Sequence, residues 1–193
     1  MKEVLFPDTK DAQIDELLTL YPQNVTQGSP YDTGTQNALT PEFKRIASIL
    51  GDFVFQAPRR FFLQSVSDRQ NTWSFCTLHA PFSLYVFFFT HTFVDSHKVN
   101  KRLKSLPIIG SFHSSDLANI FGGEDLTDFL IQFVTTLDPN GILSPQWPRY
   151  RTSSPQLMTL LGSQVANNNR TITLDTYRAK GMEFITHLSL AQP

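Results

Sequence analysis

The stretch Leu106-Pro107-Ile108-Ile109-Gly110-Ser111-Phe112-His113-Ser114-Ser115-Asp116 joins an apolar approach to a histidine that opens onto polar chain. It reads as a short strand over Ile108 to Phe112 that delivers His113 to a loop at the strand's end. That placement suits a general base, because an imidazole titrates near neutral pH and can take a proton from a hydroxyl within hydrogen-bond reach. The same residues also fit a loop histidine beside the cap of a following helix.

Working outward, helical and strand patterns alternate. Ile14, Leu17 and Leu18 share one face after an Asp11 start, and Pro22 closes that helix at Leu20. Gln23 to Leu39 is irregular chain rich in turn residues. Thr40-Pro41-Glu42 opens a second helix, with Phe43, Ile46, Ala47 and Leu50 on one face and the stripe continuing to Leu63 through an expected kink at Pro58. Thr72 to Phe75 alternates and is β-rich. A helix follows over Asp125 to Leu137, ended by Asp138-Pro139-Asn140-Gly141. Short strands at Gln156 to Leu161 and Ile172 to Leu174 precede a last helix from Asp175 to Leu188. The pattern implies a mixed α/β chain, with four main helices packed on a few strands.

Composition narrows the partners. The 193 residues carry 16 Lys+Arg against 17 Asp+Glu, a formal charge of -1, which leaves no basic surplus for a nucleic-acid footprint or a polybasic membrane anchor. The single cysteine, Cys76, excludes an internal disulfide and a cysteine-built zinc site. Met1 to Asp8 has no apolar run of roughly 7 to 15 residues, so no secretory signal is expected there. The longest apolar stretch, Phe82 to Phe89, is about half the ~20 residues a transmembrane helix needs.

Several chemistries are missing. No glycine is followed two positions later by serine, so the chain has no G-x-S-x-G nucleophile elbow. Neither a Walker loop nor G-x-G-x-x-G occurs. His79, His91 and His97 are irregularly spaced and lack carboxylates on a shared face, which argues against a metal, and no cofactor is expected. Asn24-Val25-Thr26 and Asn169-Arg170-Thr171 are candidate N-glycosylation sequons in polar, loop-like chain.

A resemblance adds to this reading. In order along the chain, Leu18 to Gln23, Gln27 to Gly34, Thr40 to Ile46, Arg59 to Leu63, Leu106 to Asp116, Leu137 to Asn140 and Trp147 to Tyr150 resemble the C-terminal part of a fungal type-B carboxylesterase or lipase, a cholinesterase-related α/β hydrolase. The resemblance implies a partial α/β-hydrolase fold over residues 1–193. It makes His113 the catalytic base and Asp116 a supporting acid, and it points to a carboxylic ester or lipid as substrate. The family's acid resembles a Glu in an Asp-Glu-Gly turn, which this sequence lacks along with the serine elbow and the oxyanion segment. Gly122-Gly123-Glu124 is not preceded by histidine and reads as a loop.

The chain is therefore expected to be inactive alone. The alternatives are a non-catalytic remnant or interaction module, or a half complemented by a separate N-terminal hydrolase chain. The resemblance also implies an extracellular family, whereas the chain as written carries no leader and reads as cytoplasmic or unassigned. One departure is large. Family members pass almost directly from Trp73-Ser74-Phe75 to Lys101 and onward, and here about 25 residues intervene, holding five of the 17 phenylalanines between Phe82 and Phe93. Pyrimidine-rich codons encode such residues, so residues 76 to 100 are expected to be a retained intron without regular structure. The structural alternative is a genuine surface loop or lid.

Overall fold

A helix spans Asp11–Leu20 (α2), with the bounds expected from its apolar spacing, in a computed structural model that describes residues 2–24, 40–79, 83–85, 121, 125–142, 144–161 and 170–192. The Lys10 amide donates to Gln13 Oε1 at 3.2 Å, satisfying an N-terminal N–H that the helix itself leaves open. A short helix the periodicity did not announce, α1 (Lys2–Leu5), precedes it, and the Lys2 ammonium pairs with Asp11.

The long apolar stripe forms as three joined pieces. Thr40-Pro41-Glu42 makes a turn in which the Phe43 amide donates to the Thr40 carbonyl at 3.1 Å. Helix α3 (Phe43–Gly51) then passes through a π-helical stretch at Asp52–Gln56 into α4 (Ala57–Val66). Pro58 lies in the first turn of α4. Its ring has no N–H to donate and would crowd the carbonyl four residues back. The widened turn, in which the Ala57 amide reaches the Asp52 carbonyl five residues earlier, absorbs that misfit where a kink was expected.

Strands β1 (Phe75–His79), β2 (Ser83–Tyr85), β3 (Gln156–Leu161) and β4 (Arg170–Leu174) form one sheet in the order β2-β1-β3-β4. β1 and β3 are parallel, with Phe75 opposite Met158 and Leu78 opposite Leu161. β3 and β4 pair antiparallel, from Gln156 opposite Leu174 to Leu160 opposite Arg170. A parallel pair cannot be joined by a hairpin, and α5 (Asp125–Thr136) lies within the long crossover between β1 and β3. The described residues thus make the mixed α/β arrangement implied by the sequence pattern.

Three boundaries differ from expectation. The strand expected at Thr72 to Phe75 begins only at Phe75 and runs on to His79, so the first residues of the Phe-rich segment are paired strand. Ser83–Tyr85 adds a second paired piece, antiparallel to β1. Pairing with a distant partner overrides a local pattern that shows no alternation. The last helix, α6 (Ala179–Leu190), starts four residues after Asp175, because that side chain is drawn into a buried ion cluster. The strand expected at Ile108 to Phe112 lies outside the described residues.

Two apolar cores result. Trp73, Phe75, Leu126, Phe129, Trp147 and Met158 pack between α5 and the sheet. Phe6, Leu17, Tyr21, Ile49, Ala57, Met182, Ile185 and Leu188 join α2, α3, α4 and α6. Among the described residues no helix is long and apolar enough to cross a membrane.

Candidate functional site

His113 and Asp116 lie outside the described residues, as do His91, His97, Asn169 and the Gly122-Gly123-Glu124 loop. In sequence, His113 belongs to the connection between Tyr85, the end of β2, and Asp125, the start of α5. What the structure defines is the frame of that connection: β1 where the chain departs, α5 where it returns, and the groups that hold both.

The strongest of these groups is a buried cluster at Asp175. Arg59 grips the carboxylate with two parallel bonds, Nη1 to Oδ2 at 2.9 Å and Nη2 to Oδ1 at 2.7 Å. Arg60 Nη2 adds a third bond to Oδ1 at 2.7 Å, and the Tyr150 hydroxyl donates to Oδ2 at 3.2 Å. Arg59 Nη1 also reaches Ser74 Oγ at 3.1 Å, one residue before β1 begins. Arg59 and Asp175 are almost wholly buried. Burial alone would raise the Asp175 carboxyl; the guanidinium of Arg59, and then that of Arg60, outweigh it and hold the group well below the usual carboxylate range. Burial, reinforced by the Asp175 charge, pushes the Tyr150 phenol well above its usual range.

Around this cluster the backbone closes in register. The Tyr150 amide donates to Thr72 O at 2.8 Å, Met158 N–H to Ser74 O at 3.0 Å, and Trp147 Nε1 to the same Ser74 carbonyl at 2.9 Å. Asn140 ties the end of α5 to this loop, since its Nδ2 donates to the Trp147 carbonyl at 2.9 Å and its Oδ1 accepts from the Trp147 amide at 2.6 Å. The ring of Trp147 stands edge-on to Phe75 and Phe129, at 5.9 and 5.5 Å between centroids. The start of β1 and the end of α5 are thereby tied to the same loop.

A second buried cluster holds the helices. The Tyr21 hydroxyl donates to Asp52 Oδ2 at 2.6 Å, and Arg178 clasps the same carboxylate through Nε at 2.7 Å and Nη2 at 2.5 Å. Arg178 reaches this position from a left-handed backbone, φ 44°, at the start of α6. Burial drives the Tyr21 phenol far above its usual range, with the Asp52 charge adding to it. For Arg178, burial opposes the charge but Asp52 outweighs it, and the net direction is upward.

Beside this cluster a cavity of about 720 Å³ opens, lined by Tyr21, Asn24, Lys44, Arg45, Ser48 and Arg178 among others. Its two arginines are engaged: Arg178 with Asp52, and Arg45 through Nε to the Tyr21 carbonyl at 2.7 Å. The Ser48 hydroxyl donates to the Lys44 carbonyl at 2.6 Å, as a helical serine often does. Among the described lining residues there is no histidine beside these hydroxyls. Among the described residues the cavity is a gap between packed helices. Asn24, the first residue of one sequon, is exposed at its rim. Among the described residues no group of three His, Cys, Asp or Glu side chains could hold a metal.

Local pattern gave little sign of either cluster. Arg59 and Arg60 interrupt an apolar stripe, and Asp175 sits where the last helix was expected to begin. The only hint was that two cations in a buried-looking face require an anion, whose identity sequence could not supply.

A parallel strand pair bridged by a helix-containing crossover, with an antiparallel strand on each side, defines an α/β protein. No protein-family model matches the chain. It is, however, 32% identical to Lipase 2 of Geotrichum candidum across 97% of its own length and 30% of that protein's. Against Lipase 4 of Diutina rugosa the identity is 36%, over 81% of the chain and 25% of the relative. A secreted triacylglycerol lipase of Gibberella zeae is 30% identical over 96% of the chain and 29% of its own length. The chain belongs to the fungal lipase family, and it spans between a quarter and a third of the length of these relatives.

Proposed function

We propose that the chain is the C-terminal part of a type-B carboxylesterase or lipase fold and supplies the general base, His113, for hydrolysis of a carboxylic ester or lipid. The observation that carries this reading is kinship with proteins named lipases along almost the whole chain, including 97% of it for one of them. The histidine block that resembles the family's base falls, in sequence, between β2 and α5.

In that role the imidazole of His113 takes the proton of a serine hydroxyl as the serine oxygen attacks the ester carbonyl. It then returns the proton to the departing alcohol. A second cycle removes a proton from water, whose oxygen displaces the serine and releases the acid. Asp116 supports the site. The serine, the triad acid and the oxyanion donors come from another part of the fold, since this chain has no G-x-S-x-G. The protein works outside the cell, Asn24 and Asn169 are its candidate glycan sites, and residues 76 to 100 interrupt an otherwise continuous hydrolase segment.

The test uses p-nitrophenyl esters. The purified chain alone should show no turnover above the buffer rate. Co-expressed with the remainder of a fungal lipase it should hydrolyse them, and His113→Ala should lower that rate by roughly a thousandfold or more. Hydrolysis by the chain alone, or activity in the pair that survives His113→Ala, would overturn the reading.

A further inference from the structure

The long helix from Phe43 to Val66 buries Ile49, Ala57 and Leu63 in the core, yet beside them it also buries a polar ridge and leaves an apolar one in solvent. Every fourth residue on one ridge, Lys44, Ser48, Asp52, Gln56 and Arg60, is polar or charged, and all five are buried, as is Arg59 beside Arg60. Two residues round from each lies the opposite ridge: Ile46, Leu50, Val54, Pro58 and Phe62. These are apolar and exposed to solvent. Ile46 is 45% exposed, Leu50 41%, Val54 49%, Phe62 39% and the adjoining Phe61 45%.

A surface helix ordinarily turns its apolar stripe to the core and its charges to water. Here the charges are taken up by Asp175, Asp52 and Arg178 on one side, and the apolar ridge is left over. Together these side chains line one side of the helix with exposed apolar surface, the kind of surface that interaction sites present.

We infer that this ridge is the docking surface for the remaining part of a fungal lipase fold, an inference that rests on the partnered-hydrolase reading above. Relative length names the occupant. The chain accounts for 30% of Geotrichum candidum Lipase 2, so about 70% of that fold lies outside it. A helix sealed by ion pairs on one side and apolar on the other belongs between two packed layers, and the missing portion supplies the second layer.

The experiment co-expresses the full chain with Geotrichum candidum Lipase 2 lacking its matching segment, and that relative's own segment serves as the positive control. A one-to-one complex should form. Leu50→Glu and Val54→Glu, both at solvent-facing positions, should each weaken it at least tenfold while keeping the chain's circular dichroism. Val4→Glu and Ile142→Glu, exposed and off the ridge, should leave affinity unchanged. If a glutamate variant fails to fold, Phe62→Ser and Ile46→Ser take its place.

A complex that binds equally well with the ridge variants would overturn the docking surface while leaving the partnered hydrolase standing. No complex, with the control segment binding, would overturn both. Self-association lost in Val54→Glu would assign the ridge to a second copy. Binding to phosphatidylcholine vesicles lost in Val54→Glu would assign it to a lipid surface. Either result would overturn the proposal.

Discussion

Replacing Asp175 removes one anion from between two buried guanidiniums. Its carboxylate accepts bonds from Arg59 at 2.7 and 2.9 Å, from Arg60 at 2.7 Å and from the Tyr150 hydroxyl at 3.2 Å. Breaking a buried pair by deleting one partner costs about 3–5 kcal/mol, because the surviving charge keeps its desolvation penalty and loses its compensation. Asp175→Ala should therefore lose about that much, a large share of the roughly 5–15 kcal/mol that a domain has in total. In a chain of this size the melting temperature should fall by roughly 6–20 °C. The two arginines should differ. Arg59→Met strips the two-bond clasp and the link to Ser74. Arg60→Met removes the surplus positive charge, together with an Nε and an Nη1 that are buried with no hydrogen-bond partner among the described residues. Arg60→Met should thus cost about 1 kcal/mol, well short of Arg59→Met, since it sacrifices little beyond two hydrogen bonds. Thermal and urea unfolding of the three variants checks the order. An Asp175→Ala protein within about 1 kcal/mol of the parent, or Arg60→Met costlier than Arg59→Met, would refute the electrostatic account.

Other consequences follow from the same contacts. Because the folded Asp175 carboxyl sits below its unfolded value of about 4, its stabilisation is present above that pH and is lost as pH falls through the folded value. Melting temperature should drop on acidification below pH ~4, with a shallower slope in Asp175→Ala. Tyr21 and Tyr150 are shifted the other way, so their contribution holds below about pH 10 and fades above it, which Tyr21→Phe should blunt in an alkaline titration of stability. At Gly181 a Cβ would meet Tyr21 Oη at 2.7 Å and its ring at 2.8 Å. Gly181→Ala should therefore destabilise the fold by about 1–3 kcal/mol less any gain in helix propensity, and a variant more stable than the parent would show that Tyr21 can move aside. Finally, cDNA from the source should lack the codons for most of residues 76 to 100; their retention in the mature transcript would remove the intron reading.

Much of the helical layer was legible from spacing alone. Helix α2 has its expected bounds, and α5 ends at Thr136, just before the turn that Asp138-Pro139-Asn140-Gly141 announces. The reason is that i, i+3, i+4 spacing is a local property, readable wherever one face is apolar and the ends carry stop signals. β3 has its expected bounds, Gln156–Leu161, and β4 extends the expected Ile172 to Leu174 back to Arg170. The motif blocks likewise marked His113 as the residue to test, although its surroundings lie outside the described residues.

Tertiary structure decided what depends on partners distant in sequence. β1 runs on into the Phe-rich stretch because β3, some 80 residues later, offers it a parallel ladder. Asp175 stands outside the helix it was expected to begin because Arg59 and Arg60, 116 and 115 positions away, need an anion. The long helix was read by its apolar stripe as though that stripe faced inward, yet part of it faces solvent. Periodicity reports that a face is apolar; which neighbour covers it is settled only when charges and layers meet in three dimensions.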